Sequence, residues 1–182
     1  MNARRFLITA FAVLTVAVVV SALPRAARVV RTKPTAAAGP KGKLVVENLG
    51  GPGEATKMPI RDYSWGIKNA TTTTSGGAGA GKATFEDLTI EKLVDDNSVA
   101  LARAVATGVH FPSATVTIYQ PGTTTPQSIF TMSNVTISGV HHTHKTTNIE
   151  TVTLAYPSIE WVYKAEAGDQ TFCWDLAANA GC

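Results

Sequence analysis

The sequence predicts a mainly β fold: a closed or nearly closed antiparallel barrel with one short helix at its side. Three observations predict it. From Lys43 onward, short runs alternate apolar with polar residues, the period of a strand with one buried face. Clusters of Gly, Pro and Thr punctuate those runs as turns do. A single stretch, Ser98–Gly108, spaces its apolar residues as a helix does, between a start and a stop signal. Many short strands with one helix bury their apolar faces best when the sheet curls upon itself.

The elements follow in order. Lys43–Asn48 reads as a first strand, broken by Gly50-Gly51-Pro52-Gly53. Pro59–Ile67 reads as a second, with Ile60, Tyr63, Trp65 and Ile67 as its bulky positions. Lys68–Gly81 is rich in Thr and Gly and reads as a loop. Thr84–Val94 reads as a strand whose alternation slips near Glu86 or Asp87, so a bulge is expected there. Ser98 reads as a helix N-cap and Gly108 as its stop, with Val99, Leu101, Ala102, Val105 and Ala106 as the stripe between them. Ala114–Tyr119, Ser128–Gly139, Ile149–Ala155 and Ser158–Lys164 complete the strands. Pro121–Pro126 is a turn and Pro157 divides the last two runs.

The 182 residues suit one domain, alone or with a tail, and an apolar fraction of 45% is enough for a packed core. Sixteen bases stand against thirteen acids, a formal +3. Eight of those bases precede the first acid, Glu47, so the rest of the chain is net acidic. No basic stripe interleaved with aromatics is present, which argues against nucleic acid as a partner.

The basic excess belongs to a leader. Met1–Arg5 is basic, Phe6–Ala22 is an uncharged apolar run, and Val20-Ser21-Ala22 has the small-residue pattern of a signal-peptidase site. Three fates fit: a cleaved signal peptide, an uncleaved anchor with the domain outside, or the inverted topology. Arg25, Arg28, Arg31 and Lys33 after the run favour the inverted topology. The expected organisation is a signal or anchor over 1–22, a Pro-containing tether over 23–42 and the barrel over 43–182. The product is then secreted, periplasmic or held at the envelope, touching membrane only through its N-terminal segment. Cys173 and Cys182 could close a small loop in an oxidising compartment, and two unpaired thiols are the other reading.

Motifs that carry chemistry are sparse. Gly76–Lys82 (GGAGAGK) resembles a phosphate loop, but Ala83 stands where the magnesium-binding hydroxyl belongs, and a strand is expected after it. His142 and His144 would share one face of a strand and could share a divalent metal, with His141 opposite. Their place between two strands favours a solvated hairpin loop, and a third ligand such as Asp169 or His110 is not fixed by the sequence. Glu86, Asp87, Glu91, Asp95 and Asp96 read as a solvated face with a helix-start charge bias. No Gly-x-Ser-x-Gly elbow or Ser/His/Asp grouping is present, so no enzyme activity and no cofactor is expected.

Several segments, in order, resemble the Hcp family of type VI secretion tube proteins. They are Tyr63-Ser64-Trp65-Gly66, then Gly79–Phe85 after the Gly-rich loop, then Ser98, Leu101, Ala104 and Thr107-Gly108. Glu150, Val152, Leu154, Ile159 and Tyr163-Lys164 follow, and Cys173-Trp174-Asp175-Leu176 closes the set. The resemblance spans Lys43 to Asn179. It implies a barrel with a side helix, assembly into hexameric rings that stack into a tube, and effector cargo in the lumen. It implies assembly and no chemistry. The leader, the cysteines and the histidine cluster depart from that pattern. An exported or membrane-tethered binding module or effector reusing the fold, outside any type VI tube, is therefore a second expectation. A third is a secreted metal-dependent enzyme built on the histidines.

Overall fold

A computed structural model describes residues 39–71, 80–144 and 146–182. The expected leader and residues 23–38 of the expected tether lie outside the described residues, as does most of the Gly-rich loop. The elements are β1 (Gly42–Glu47), β2 (Ala55–Ile60), β3 (Asp62–Ser64), β4 (Ile67–Thr71), β5 (Ala80–Phe85) and β6 (Leu88–Leu93). After them come α1 (Ser98–Thr107), β7 (His110–Tyr119), β8 (Pro126–His144), β9 (Asn148–Ala155), β10 (Ser158–Tyr163) and β11 (Gln170–Asp175).

The main sheet runs β2-β1-β7-β8-β9-β6-β3, all antiparallel. Its two ends, β2 and β3, are separated in the chain by Arg61 alone. The Arg61 N–H donates to the Glu91 carbonyl of β6 at 2.7 Å, so one bent strand pairs with β1 on one side and β6 on the other. That closes the sheet into a barrel and leaves no main-sheet edge at this seam. β8 spans 19 residues and serves three partners. β7 takes one side, while β9 and β10 share the other as one strand broken at Tyr156-Pro157.

Inward positions alternate as the sequence pattern requires. Leu44 and Val46, Met58 and Ile60, Leu88 and Ile90, and Val152 and Leu154 are buried in facing pairs of strands. Gly42 is needed where β1 approaches β7, since a Cβ there would lie 2.2 Å from the Thr117 carbonyl oxygen. β8 changes the phase of its inward positions twice. Asn134 takes a positive φ of 51°. At Ser138 the register with β9 slips by one residue, as a bulge.

The helix packs Leu101 and Ala104 into the core and ends at Gly108, whose left-handed φ of 62° closes the C-cap. Two details differ from expectation. Asn97, not Ser98, occupies the N-cap, without a side-chain bond, because Ser98 is drawn inward by other partners described below. Val99 is 70% exposed, so the buried stripe is narrower than its composition suggested.

The region from Pro59 to Val94 also differs. The expected second strand is divided among β2, β3 and β4. The expected loop over 68–81 contributes strands to a separate hairpin, β4 with β5. The expected bulge near Glu86 is a passage between sheets: β5 ends at Phe85 in the hairpin and β6 starts at Leu88 in the barrel.

Aromatic side chains join hairpin and barrel. The Trp65 ring meets Phe130 edge-on at 5.3 Å and Trp161 at 6.0 Å, and Phe130 stacks on Trp161, its cross-strand partner. The Trp65 Nε1–H donates to the Tyr156 hydroxyl at 2.5 Å, and that hydroxyl donates to the Glu86 carbonyl at 2.8 Å. One phenol thus satisfies two groups at the hairpin's base. Burial pushes the Tyr156 pKa above its ordinary 10.0, against the lowering effect of the Trp65 bond and with the nearby Asp87 charge adding to the rise.

A raised phenol pKa carries stability that is intact below the unfolded value and is lost as pH climbs through the folded one. The unfolding free energy therefore falls on the alkaline side of pH 10.0. Tyr156→Phe removes that part of the fall and, by stranding Trp65 Nε1 and the Glu86 carbonyl, destabilises the protein at neutral pH by about 1–3 kcal/mol in urea unfolding.

Candidate functional site

Lys92 and Glu150 lie opposite one another on β6 and β9, both fully buried. The strand phase places them there, for Lys92 follows Leu88 and Ile90 on the inward side, and Glu150 precedes Val152 and Leu154. A buried charge requires complete pairing. The Lys92 ammonium finds it in hydrogen bonds to Glu150 Oε1 at 2.5 Å and the Leu93 carbonyl at 2.8 Å, and in an ion pair with Asp95 Oδ1 at 2.9 Å. Glu150 Oε1 also accepts from Ser98 Oγ at 2.8 Å, and Oε2 accepts from His142 Nε2–H at 2.9 Å.

The loop into the helix is built around the same groups. Ser98 Oγ accepts the Asp95 N–H at 2.9 Å while donating its own proton to Glu150. Asp95 Oδ1 in turn accepts the Asn97 N–H at 2.9 Å. Three strands and the start of α1 are thus held at one buried ion pair. The Ser98 proton is committed to the carboxylate, and the carboxylate is shielded from solvent.

The histidines lie on strand, not in a hairpin loop: β8 continues to His144 because β9 pairs with it through Asn148. Past the bulge at Ser138, Val140, His142 and His144 share the phase of their partners Val152, Glu150 and Asn148. His142 is committed to Glu150, and His144 Nδ1 pairs with Asn148 Oδ1. Asp169 is paired with Lys164 at 2.5 Å, and His110 Nδ1 with Thr136 Oγ1 at 3.1 Å, so neither joins the two. Among the described residues, no group of three His, Cys, Asp or Glu side chains is placed to hold a metal ion. Lys82 of the Gly-rich motif is an exposed residue of β5, and the next element is β6.

A second cluster lies outside the barrel. Phe85, from the hairpin, stacks over Phe172 and Trp174 of β11 at 6.3 and 6.0 Å. These three rings seat the hairpin on β11, whose strand partner among the described residues is β10. A cavity of about 280 Å³ opens beside them, lined by Lys82–Phe85, Trp174, Leu176 and Asn179. Cys173 and Cys182 are joined as a disulfide, with Cα atoms 5.4 Å apart. Among the described residues no helix is long and apolar enough to cross a membrane.

The buried pair went unread as a pair in the sequence, although its signal is there. A Lys and a Glu each stand on the inward phase of a strand, where only paired charges persist. Removing one partner strands the other: Glu150→Ala or Lys92→Ala lowers the unfolding free energy by about 3–5 kcal/mol. Combining Lys92→Met with Glu150→Leu costs less than either alanine change, which urea unfolding curves on the three variants and the parent protein read directly.

Comparison with known proteins follows the fold. A family model described as "Type VI secretion system effector, Hcp" matches residues 48–163. No curated protein matches the chain. Among solved structures, one described as a type six secretion system protein is 25% identical, over 80% of this chain and 100% of that one, with a TM-score of 0.67. Hcp1 from E. coli EAEC 042 is 21% identical over 76% of this chain and 99% of that one, TM-score 0.62. Hcp1 from Salmonella typhimurium is 18% identical over 78% and 99%, TM-score 0.60. These last two share the fold: the same β-rich body with one short helix. The matched stretch runs from the end of β1 to the end of β10 and is well over half of the sequence, so the chain belongs to the Hcp family of type VI secretion system effectors.

Proposed function

We propose that this protein is a non-enzymatic structural subunit that assembles into hexameric rings, which stack as a type VI secretion tube and carry effectors in their lumen. The observation that carries the reading is the family match across the barrel. The barrel's own chemistry supports it. Its buried ionisable groups are consumed in holding strands and helix together, which suits a part whose work is to keep its shape. In light scattering of the size-fractionated protein, the expected outcome is a mass near six chains. A strict monomer at high concentration overturns the reading.

A second reading has its own observation. The Cys173–Cys182 disulfide and the basic-then-apolar stretch over 1–22 both suit an exported protein. In this reading the 43–182 barrel follows a signal or anchor and a tether over 23–42, and acts as an exported or envelope-held module outside a tube. N-terminal sequencing of the natural product discriminates the two. A start after Ala22 favours export by signal peptidase, and an intact Met1 in the cytoplasm removes this reading.

A further inference from the structure

The outer edge of β11 is covered by the chain's own C-terminal segment. The Leu176 N–H donates to the Pro157 carbonyl at 2.8 Å, so Leu176 and, by strand parity, Trp174 and Phe172 point their backbone groups at β10. Asp175, Cys173 and Thr171 then point theirs away from it. Asp175 is met there by Ala180: its N–H donates to the Ala180 carbonyl at 2.9 Å, and the Ala180 N–H donates back at 3.2 Å. The register carried on from this bridge sets Cys173 opposite Cys182, the disulfide pair. The segment is therefore a rudimentary strand laid along β11 from Asp175 to Cys173.

Little else holds this cover. Ala177–Cys182 are all exposed. Apart from the reciprocal pair and the disulfide, the segment has the Ala178 N–H bond to Asp175 Oδ1 at 2.8 Å and half-buried Leu176 at its start. We propose that the disulfide is a clasp on this cover, and that opening it makes the outer edge of β11 an acceptor for an extended strand from a second copy of this chain. The proposal rests on the self-assembly reading above and adds a redox gate to it.

The same fold supplies the matching donor. Among the described residues, β4 and β5 pair only with each other, so each keeps an unpaired edge. Lys82–Phe85 of β5 line the cavity beside Trp174 of β11. Natural folds keep such edges short, charged or covered because they template pairing with another chain. Here the cover is closed by one covalent bond, and a dithiol can break it. The dithiol passes two electrons and two protons to the S–S bond, leaving thiols at Cys173 and Cys182, and departs as a disulfide.

The test compares the full chain in oxidised and dithiothreitol-reduced form with Cys182→Ser, by sedimentation over a concentration series and by amide hydrogen exchange. The expected result is faster exchange at Asp175 in dilute reduced protein and in Cys182→Ser, with an association constant raised roughly tenfold, about 1.4 kcal/mol. Thr171→Pro in the Cys182→Ser background, which removes an outward N–H and leaves the bonds to β10 intact, abolishes the gain. Rings of the same mass and midpoint in both redox states overturn the gate and leave the assembly reading standing. Monomers throughout overturn both. Loss of Asp175 protection without any gain in association overturns the choice of a second copy as the occupant, as does a gain that persists in Thr171→Pro.

Discussion

The Lys92–Glu150 pair sits where three strands and the helix meet, and its position follows from desolvation. A single ammonium in an apolar interior is untenable, so Lys92 admits only an arrangement that surrounds it with oxygens, two of them hydrogen-bonded and one paired by charge. Those oxygens come from β9, from the end of β6 and from the loop into α1. Ser98 and His142 then complete the carboxylate. A buried pair of this kind adds little net stability over an apolar one, and its value lies in excluding alternatives. A strand slipped by one residue, or a helix begun one turn later, would leave a charge in the interior without a partner.

The outside of the barrel follows a different rule. The seam at Arg61 removes one pair of edges by closure, and the C-terminal segment covers part of another. The hairpin is held off the main sheet and seated by Phe85 on Phe172 and Trp174. Aromatic stacking suits this junction, because it joins two sheets whose backbones cannot share a ladder. Among the described residues, β4, β5, β10 and β11 are the strands that lie off the closed main path.

Much of the barrel could be read in the sequence. Leu88 and Ile90, or Val152 and Leu154, alternate with polar residues, and alternation reports burial on one face directly. Gly108 marked the helix end because only a residue without a Cβ takes that φ at no cost. The hairpin was not legible. Its strands carry mostly Thr, Ala, Gly, Lys and Asn, with Ile67 and Phe85 as their bulky apolar residues, and so leave no periodic trace. The division at Glu86 looked like a bulge because a slip in alternation is the same local signal whether the chain continues or changes sheets. The histidines were misplaced for a related reason: the Ser138 bulge breaks the alternation and hides the continuation of β8. Ser98 was assigned to the cap by residue type, and the buried Glu150 that claims it lies 52 residues away.

The two phase changes in β8 also set how this sequence tolerates length changes. Asn134 and Ser138 act as frame markers within one strand. Residues before Asn134 are read against β7 and β10, residues after Ser138 against β9, and the second phase change restores the parity that the first one breaks. One residue gained or lost between the markers would turn every later side chain through half a turn. Val140 and His142 would go to the solvent side, and His141 would be presented to Glu150 in place of His142. An insertion within Asn134–Ser138 is therefore felt along the whole of β8 beyond it. Divergence within this fold is better accommodated at the turns, where a change in length alters no frame.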